Sequence, residues 1–284
     1  MIPAAFEYFS PASVDEALAL LREHTDAKVL AGGQSLMPAL RLRLAAPETV
    51  VDLGKIAELR GVRDDGDALV IGAMTPHSTV QTDPLIGAHT RLISLATATI
   101  GDPQIRHRGT FGGSLAHADP AADLPAVAVA LDASFVIAGS SGRRTVPAGE
   151  FFQGVFSTAL DEDELLVEVR VPKYTGWGAH YEKFNRVAQA WSIVSVAAAV
   201  RLDGGAIAEA RVGLGNMGAT PIRATAVEQA LVGQPATAEA VRAAAGWAAE
   251  GTAPTTDLNG DADYRRHLAT VLTRRAVLAA AGTA

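Results

Sequence analysis

Residues Ile100–Leu131, I-G-D-P-Q-I-R-H-R-G-T-F-G-G-S-L-A-H-A-D-P-A-A-D-L-P-A-V-A-V-A-L, decide how the rest of the chain is read. A double glycine, hydroxyls, prolines and carboxylates are packed between apolar segments, which is more than a simple turn requires. Thr110-Phe111-Gly112-Gly113-Ser114 has the small side chains that let a backbone approach a large ligand, with N–H groups and hydroxyls expected free to donate. Asp119 and Asp123 follow as acceptors. A polyhydroxylated, phosphate-bearing ligand needs both chemistries side by side.

Working upstream, Lys28-Val29-Leu30-Ala31 reads as a short buried strand that runs into Gly32-Gly33-Gln34-Ser35-Leu36. Such strand-to-loop junctions cradle phosphates. No third glycine and no helix start are expected after it, which excludes the dinucleotide fingerprint of doubly wound folds. The absence of Gly-Lys-Ser/Thr excludes a P-loop.

Two segments together, A-G-G-Q-S-L-M-P-A-L-R-L-R with P-E-T-V-V-D-L, and I-R-H-R-G-T-F-G-G-S-L-A-H-A-D-P-A-A-D, resemble the FAD-binding medium subunit of the molybdenum hydroxylases. That family includes carbon monoxide dehydrogenase, quinoline oxidoreductase and xanthine dehydrogenase. The resemblance covers nearly the whole chain. It implies an α+β fold: a PCMH-type, vanillyl-alcohol-oxidase-like FAD-binding domain of two α/β subdomains, then a C-terminal domain with an antiparallel sheet and helices. The corresponding boundaries are 1–55, 56–175 and 176–284.

The resemblance also implies site residues. Val29, Leu30, Ala31, Gly32, Gly33, Gln34, Ser35 and Leu36 would form the first FAD loop, wrapping the pyrophosphate with backbone N–H groups. Many relatives carry histidine where Gln34 stands. Thr110, Phe111, Gly112, Gly113 and Ser114 would form the second loop, with both hydroxyls offered to the cofactor. Asp123 would accept from the cofactor's hydroxyls, Ile100 would lie beside the isoalloxazine, Leu166 would touch the cofactor, and Lys183 would sit near the flavin. Each position has a plainer alternative: a strand-end turn at Gly32-Gly33, a bulge or capping turn at Thr110–Ser114, core packing for Ile100 and Leu166, a solvated lysine at 183. Asp119 is read either as a cofactor acceptor or as an Asp-Pro turn former. Arg106 and Arg108 are read either as a partner-docking loop or as a solvated patch. His107 and His117 lack the spacing and companions of a metal site and are read as loop or interface residues.

Composition sets the outer limits. The chain has 284 residues, 49% hydrophobic and 19% charged, which is long enough for two or three subdomains. A net charge of −7 argues against nucleic acid. An anionic cofactor on such a chain must be held by local N–H dipoles. The absence of cysteine excludes disulfides and cysteine-ligated clusters within the chain. No apolar run long enough for a membrane span and no signal-peptide pattern is present, so a cytoplasmic location is expected.

Local patterns fill in the rest. Ser13-Val14-Asp15-Glu16 fits a capping box before Val14, Ala17, Leu18 and Leu21 at helical spacing. Strands are expected at Val50–Leu53, Leu69–Ala73, Ser134–Ala138 and Leu165–Val171, the last with Leu165, Val167, Val169 and Val171 on one face. Helical stretches are expected from Thr75-Pro76-His77-Ser78 and over His89–Ile100. Beyond Gly176, alternation on both sides of Asp203-Gly204-Gly205 predicts a hairpin, followed by alanine-rich helices at Ala224–Leu231, Thr237–Glu250 and Asp261–Ala281.

By resemblance the chain is expected to be the FAD-carrying electron-transfer subunit of a heterotrimer. The large partner would hold molybdopterin cytosine dinucleotide and the small partner two 2Fe-2S clusters, in a dimer of heterotrimers. The resemblance of G-G-Q-S-L and R-G-T-F-G-G-S-L-A-H-A-D to quinoline-type medium subunits implies an aromatic N-heterocycle as substrate of the assembly, ahead of carbon monoxide, purines or aldehydes. The rival readings are a stand-alone flavoprotein oxidase of the same fold and a non-catalytic assembly protein without cofactor.

Overall fold

The computed structural model describes residues 2–283. Strands β1 (Glu7–Phe9), β2 (Ala27–Leu30) and β3 (Thr49–Asp52) form a parallel sheet in the order β1-β3-β2, linked by helices α1 (Val14–Glu23) and α2 (Leu36–Leu42). Helix α1 begins where the sequence places it. The Ser13 hydroxyl accepts from the Glu16 N–H at 3.2 Å, and Val14, Ala17, Leu18 and Leu21 are buried. Strand β2 differs from expectation: it lies at the sheet edge, half-buried, with Lys28 exposed. A helix also follows the glycine loop directly, against the expectation that none does. Pro38 is tolerated there because a first-turn residue needs no N–H.

Strands β4 (Val62–Asp65) and β5 (Ala68–Gly72) form a hairpin around the acidic run Asp64-Asp65-Gly66-Asp67. Helices α3 (His77–Thr82), α4 (Pro84–His89), α5 (Arg91–Ala98), α6 (Pro103–Arg108), α7 (Phe111–His117) and α8 (Asp123–Ala130) follow. Then come β6 (Ser134–Gly139), β7 (Gly142–Pro147), α9 (Ala148–Phe151), the short pair β8 (Phe152–Gly154) and β9 (Ser157–Thr158), and β10 (Leu165–Pro172). The antiparallel sheet runs β4-β5-β10-β6-β7. The helix expected over His89–Ile100 starts only at Arg91; His89 closes α4, and Thr90 separates the two. The stretch that decided the reading is not a loop but three short helices, two of them capped by side chains. Asp102 accepts from the Ile105 N–H at 2.8 Å and Thr110 from the Gly113 N–H at 3.2 Å.

The single apolar face expected for β10 does not survive. Its register against β6 shifts between Leu166 and Glu168, which inserts Val167 as an extra residue. Leu165 and Val167 pack with α1, whereas Leu166, Val169 and Val171 pack in the core beneath α5 and α8.

The last sheet is antiparallel, ordered β11 (Gly178–Phe184), β12 (Val194–Asp203), β13 (Ala206–Gly215) and β14 (Ile222–Arg223), with α10 (Thr225–Leu231), α11 (Ala238–Ala245) and α12 (Ala262–Ala280) after it. Gly204 and Gly205, at φ of 56° and 86°, make the expected hairpin turn. Strand β12 is covered on both sides. Val194, Val196, Ala198 and Val200 pack under the C-terminal helices, while Ala197 and Ala199 join the core with α5 and α8. Helix α8 is seated so tightly on β13 that a Cβ on Gly213 would lie 2.1 Å from the Ala126 carbonyl oxygen.

Candidate functional site

The two glycine pairs, distant in sequence, meet in space. A Cβ on Gly32 would fall 2.2 Å from the Arg108 carbonyl oxygen and 2.6 Å from Gly109 Cα, and one on Gly113 would fall 3.2 Å from Ala31 Cβ. The loop leaving β2 therefore lies against the junction of α6 and α7, and only glycine permits that approach. Gly33 has φ +76°, a left-handed backbone that other residues adopt only under strain.

Their backbone donors differ. The N–H groups of Gly32, Gly33, Gln34 and Ser35 donate to no acceptor among the described residues. The Gln34 side-chain amide turns back to the Gly32 carbonyl at 3.3 Å. On α7 the expected free donors are all engaged. Phe111 N–H reaches Thr75 O at 2.9 Å, Gly112 N–H reaches Ala73 O at 2.8 Å, and Ser114 N–H reaches Thr110 O at 3.1 Å. Gly113 N–H goes to the buried Thr110 hydroxyl, so Thr110 acts as the helix cap. A Cβ on Gly112 would lie 2.5 Å from Ala73 Cβ. Ala73 N–H in turn bonds the carbonyl of the bulged Val167 at 2.9 Å, tying α7 to the centre of the sheet. The hydroxyls of Ser35 and Ser114 make no hydrogen bond among the described residues.

The segment around Ile100 is held at three points. Lys183 Nζ donates to Thr99 O at 3.2 Å and Arg106 Nη1 to Ile100 O at 2.8 Å. Gln189 Nε2 donates to Asp102 Oδ2 at 2.9 Å. Arg106 therefore serves this segment rather than a solvated patch. Lys183 is not solvated either. It pairs with Asp123 at 2.9 Å, the two side chains only 6% and 4% exposed, and the Tyr181 hydroxyl donates to the other Asp123 oxygen at 2.7 Å. Burial raises the Asp123 pKa, and Lys183 and Tyr181 oppose that rise by favouring the carboxylate. The Tyr181 hydroxyl is pushed well above its ordinary range, first by burial and then by the Asp123 charge. Tyr181 and Lys183, two apart on β11, face the same side, a strand-period signal that sequence reasoning left unused.

Other expected positions scatter. Asp119 Oδ1 accepts from the Ala121 N–H at 2.9 Å, the turn-forming role, and its side chain lines a cleft of about 360 Å³ with Trp191, Ser192 and Asn216. Leu166 is buried in the core, and Ile100 packs half-buried on its edge. His107 and His117 lie on helices rather than loops; His107 Nδ1 contacts Pro103 O at 2.7 Å and the His117 ring packs, tilted, against Phe156. His77, unremarked in the sequence, sits under Gly109 with its Nδ1 buried and unpartnered. Burial, then the nearby Arg106 charge, lowers its pKa to about 4, so it is neutral.

Four consecutive unengaged N–H groups with a free serine hydroxyl beside them match the demands of a pyrophosphate, and so fit a dinucleotide-type cofactor. Residues 4–174 match the family described as the FAD-binding domain in molybdopterin dehydrogenase, and residues 179–280 match the CO dehydrogenase flavoprotein C-terminal domain. The chain belongs to the FAD-binding medium subunits of the molybdenum hydroxylases. The carbon monoxide dehydrogenase medium chain of Hydrogenophaga pseudoflava is 44% identical to it, covering 99% of this chain and 98% of that one. The glyceraldehyde dehydrogenase medium chain of Sulfolobus acidocaldarius is 35% identical over 97% and 98% of the two chains. Among solved structures, carbon monoxide dehydrogenase from H. pseudoflava lacking the Mo-pyranopterin moiety superposes with a TM-score of 0.96 at 46% identity, covering 100% and 99% of the chains. Quinoline 2-oxidoreductase from Pseudomonas putida 86 superposes at 0.95 with 35% identity, covering 100% and 99%. The medium subunit is thus an oxidoreductase component with an FAD-binding domain. Among the described residues no helix is long and apolar enough to cross a membrane.

Proposed function

We propose that this chain is the FAD-carrying electron-transfer subunit of a heterotrimeric molybdenum hydroxylase, passing electrons from the iron–sulfur clusters of a small subunit to an external acceptor. The supporting observation is the row of unengaged N–H groups from Gly32 to Ser35, held against the α6–α7 junction. These donors, with the Ser35 and Ser114 hydroxyls, would bind the cofactor's phosphates. When bound, FAD supplies the redox chemistry, taking up and releasing electrons. Gly112 and Gly113 act by bringing α7 close rather than by donating. Lys183 and Arg106 hold the backbone at Thr99 and Ile100, Gln189 holds the Asp102 side chain, and together they fix where Ile100 stands. Asp123 acts here as the counter-ion of Lys183 instead of a direct acceptor from the cofactor.

In this reading the units are 1–55, 56–175 and 176–284, the location is cytoplasmic, and the assembly is a dimer of heterotrimers with molybdopterin cytosine dinucleotide on the large subunit and two 2Fe-2S clusters on the small one. The substrate is a property of the large subunit. Relatives named for carbon monoxide, glyceraldehyde and nicotine all span this chain nearly end to end, at 44%, 35% and 35% identity. The aromatic N-heterocycle suggested by the loop sequences therefore stands beside a carbon monoxide-type substrate.

The test is the visible spectrum of the material that co-purifies with this chain from its native host, before and after dithionite. Flavin bands over a broad bleachable iron–sulfur background are expected. Flavin alone in an otherwise intact assembly, or a colourless preparation, overturns the proposal.

A further inference from the structure

Strand β11 is an edge strand with two occupied faces. Tyr181 and Lys183 point to Asp123 on α8, and the alternate residues His180 and Glu182 point the other way, toward α11 and α12. Between them lies a cleft of about 630 Å³, within the range of small-molecule sites. Arg242 from α11 and Arg274 and Arg275 from α12 converge on it. Among the described residues Arg242 and Arg274 make no ion pair, and Arg275 has only Glu182 Oε1, at 3.8 Å. Glu182 is itself shared with His180 Nε2 at 3.0 Å, and Glu239 is the other carboxylate at the rim. What sets Arg242 and Arg274 apart is their place: both line one cleft, and neither is matched there by a carboxylate.

We propose that this cleft binds a small organic phosphate of nucleotide size. Guanidinium forks match phosphate oxygens in pairs and cannot be neutralised by losing a proton. Leu278 and Ala279 supply an aliphatic wall for the uncharged part of the ligand. Inorganic phosphate alone would leave most of the volume empty. The cleft lies on the opposite side of the C-terminal sheet from Asp123, so the inference does not rest on the cofactor assignment.

The test uses the FAD-loaded complex purified whole, in which the bound flavin already fills its own site. ADP is the probe, followed by titration calorimetry, and adenosine is the control without phosphate. Saturable ADP binding is expected, at least tenfold weaker in the Arg242→Ala/Arg274→Ala variant with flavin content unchanged, partly recovered with lysine at both positions, and absent for adenosine. No saturable binding, or equal binding in the variant, overturns the proposal. So does loss of partner subunits from the variant complex, which would reassign these arginines to a protein interface.

Discussion

Gly32-Gly33 and Gly112-Gly113 look alike in sequence and do opposite things. The first pair opens a row of backbone donors that nothing among the described residues satisfies; the second sits in the first turn of a helix whose first donors are all satisfied. Their surroundings explain the difference. The first pair follows an edge strand and can face outward. The second is locked between Ala73 and Thr110, and it is small so that α7 can sit on the sheet. A glycine pair therefore reports close approach, and only the hydrogen-bond partners around it say whether the approaching group is a ligand or the protein's own backbone.

The comparison can be broken at several points. The largest effect is expected behind the second pair. Lys183→Met leaves Asp123 buried without its cation and should cost about 3–5 kcal/mol in denaturant unfolding. The loss should grow with pH, because the folded state then holds the Asp123 proton to higher pH than the unfolded chain does. Asp123→Asn in the same chain should recover part of it. Next comes His77 beneath Gly109. Its pKa of about 4 lies below the ordinary 6.5, so the unfolded chain takes up the proton first. Stability should be full above pH 6.5 and fall by about 3 kcal/mol as the pH drops to 4. His77→Phe should flatten that part of the profile.

Gly112→Ala drives a methyl into Ala73 and should destabilise by roughly 1–3 kcal/mol, with flavin retained by the protein that folds. Gly33→Ala meets only Met37 and Leu30 side chains, at 3.2 and 3.4 Å, so its cost is the left-handed backbone, roughly 1–2 kcal/mol. Flavin per folded chain should drop sharply there. If Gly112→Ala lost flavin while folded and Gly33→Ala kept it, the contrast between the pairs would be reversed. The smallest effects on folding belong to Ser35→Ala and Ser114→Ala, within about 0.5 kcal/mol. Both should still weaken flavin retention.

Much of this was legible in the residues. Ser13 and its apolar spacing gave α1, and Gly204-Gly205 between alternating runs gave the long hairpin. Both are local signals, carried by one cap and one turn. The glycine-rich stretches mark the candidate site for the same reason. Helices α2, α6 and α7 were not legible, because a few residues containing proline or glycine have little helical preference of their own and are held by tertiary contact. The inserted Val167 was invisible for a related reason: a bulge is defined by the partner strand, here β6. Engaged and free donors read identically in a sequence, so Phe111–Ser114 looked as open as Gly32–Ser35. Lys183 and Asp123 stand 60 residues apart, and only folding shows that they neutralise one another.

The seating of α8 on the C-terminal sheet has a bearing on how such a chain could have been assembled in evolution. The two matched segments, 4–174 and 179–280, follow one another like beads, yet Asp123 belongs to the first and both of its partners to the second. Ala126 touches Gly213 across the same seam. Cutting the chain after residue 174 would not liberate a flavin module. It would strip the buried carboxylate of its cation and uncover the core face that Ala197 and Ala199 close. Neither half's interior is finished without the other.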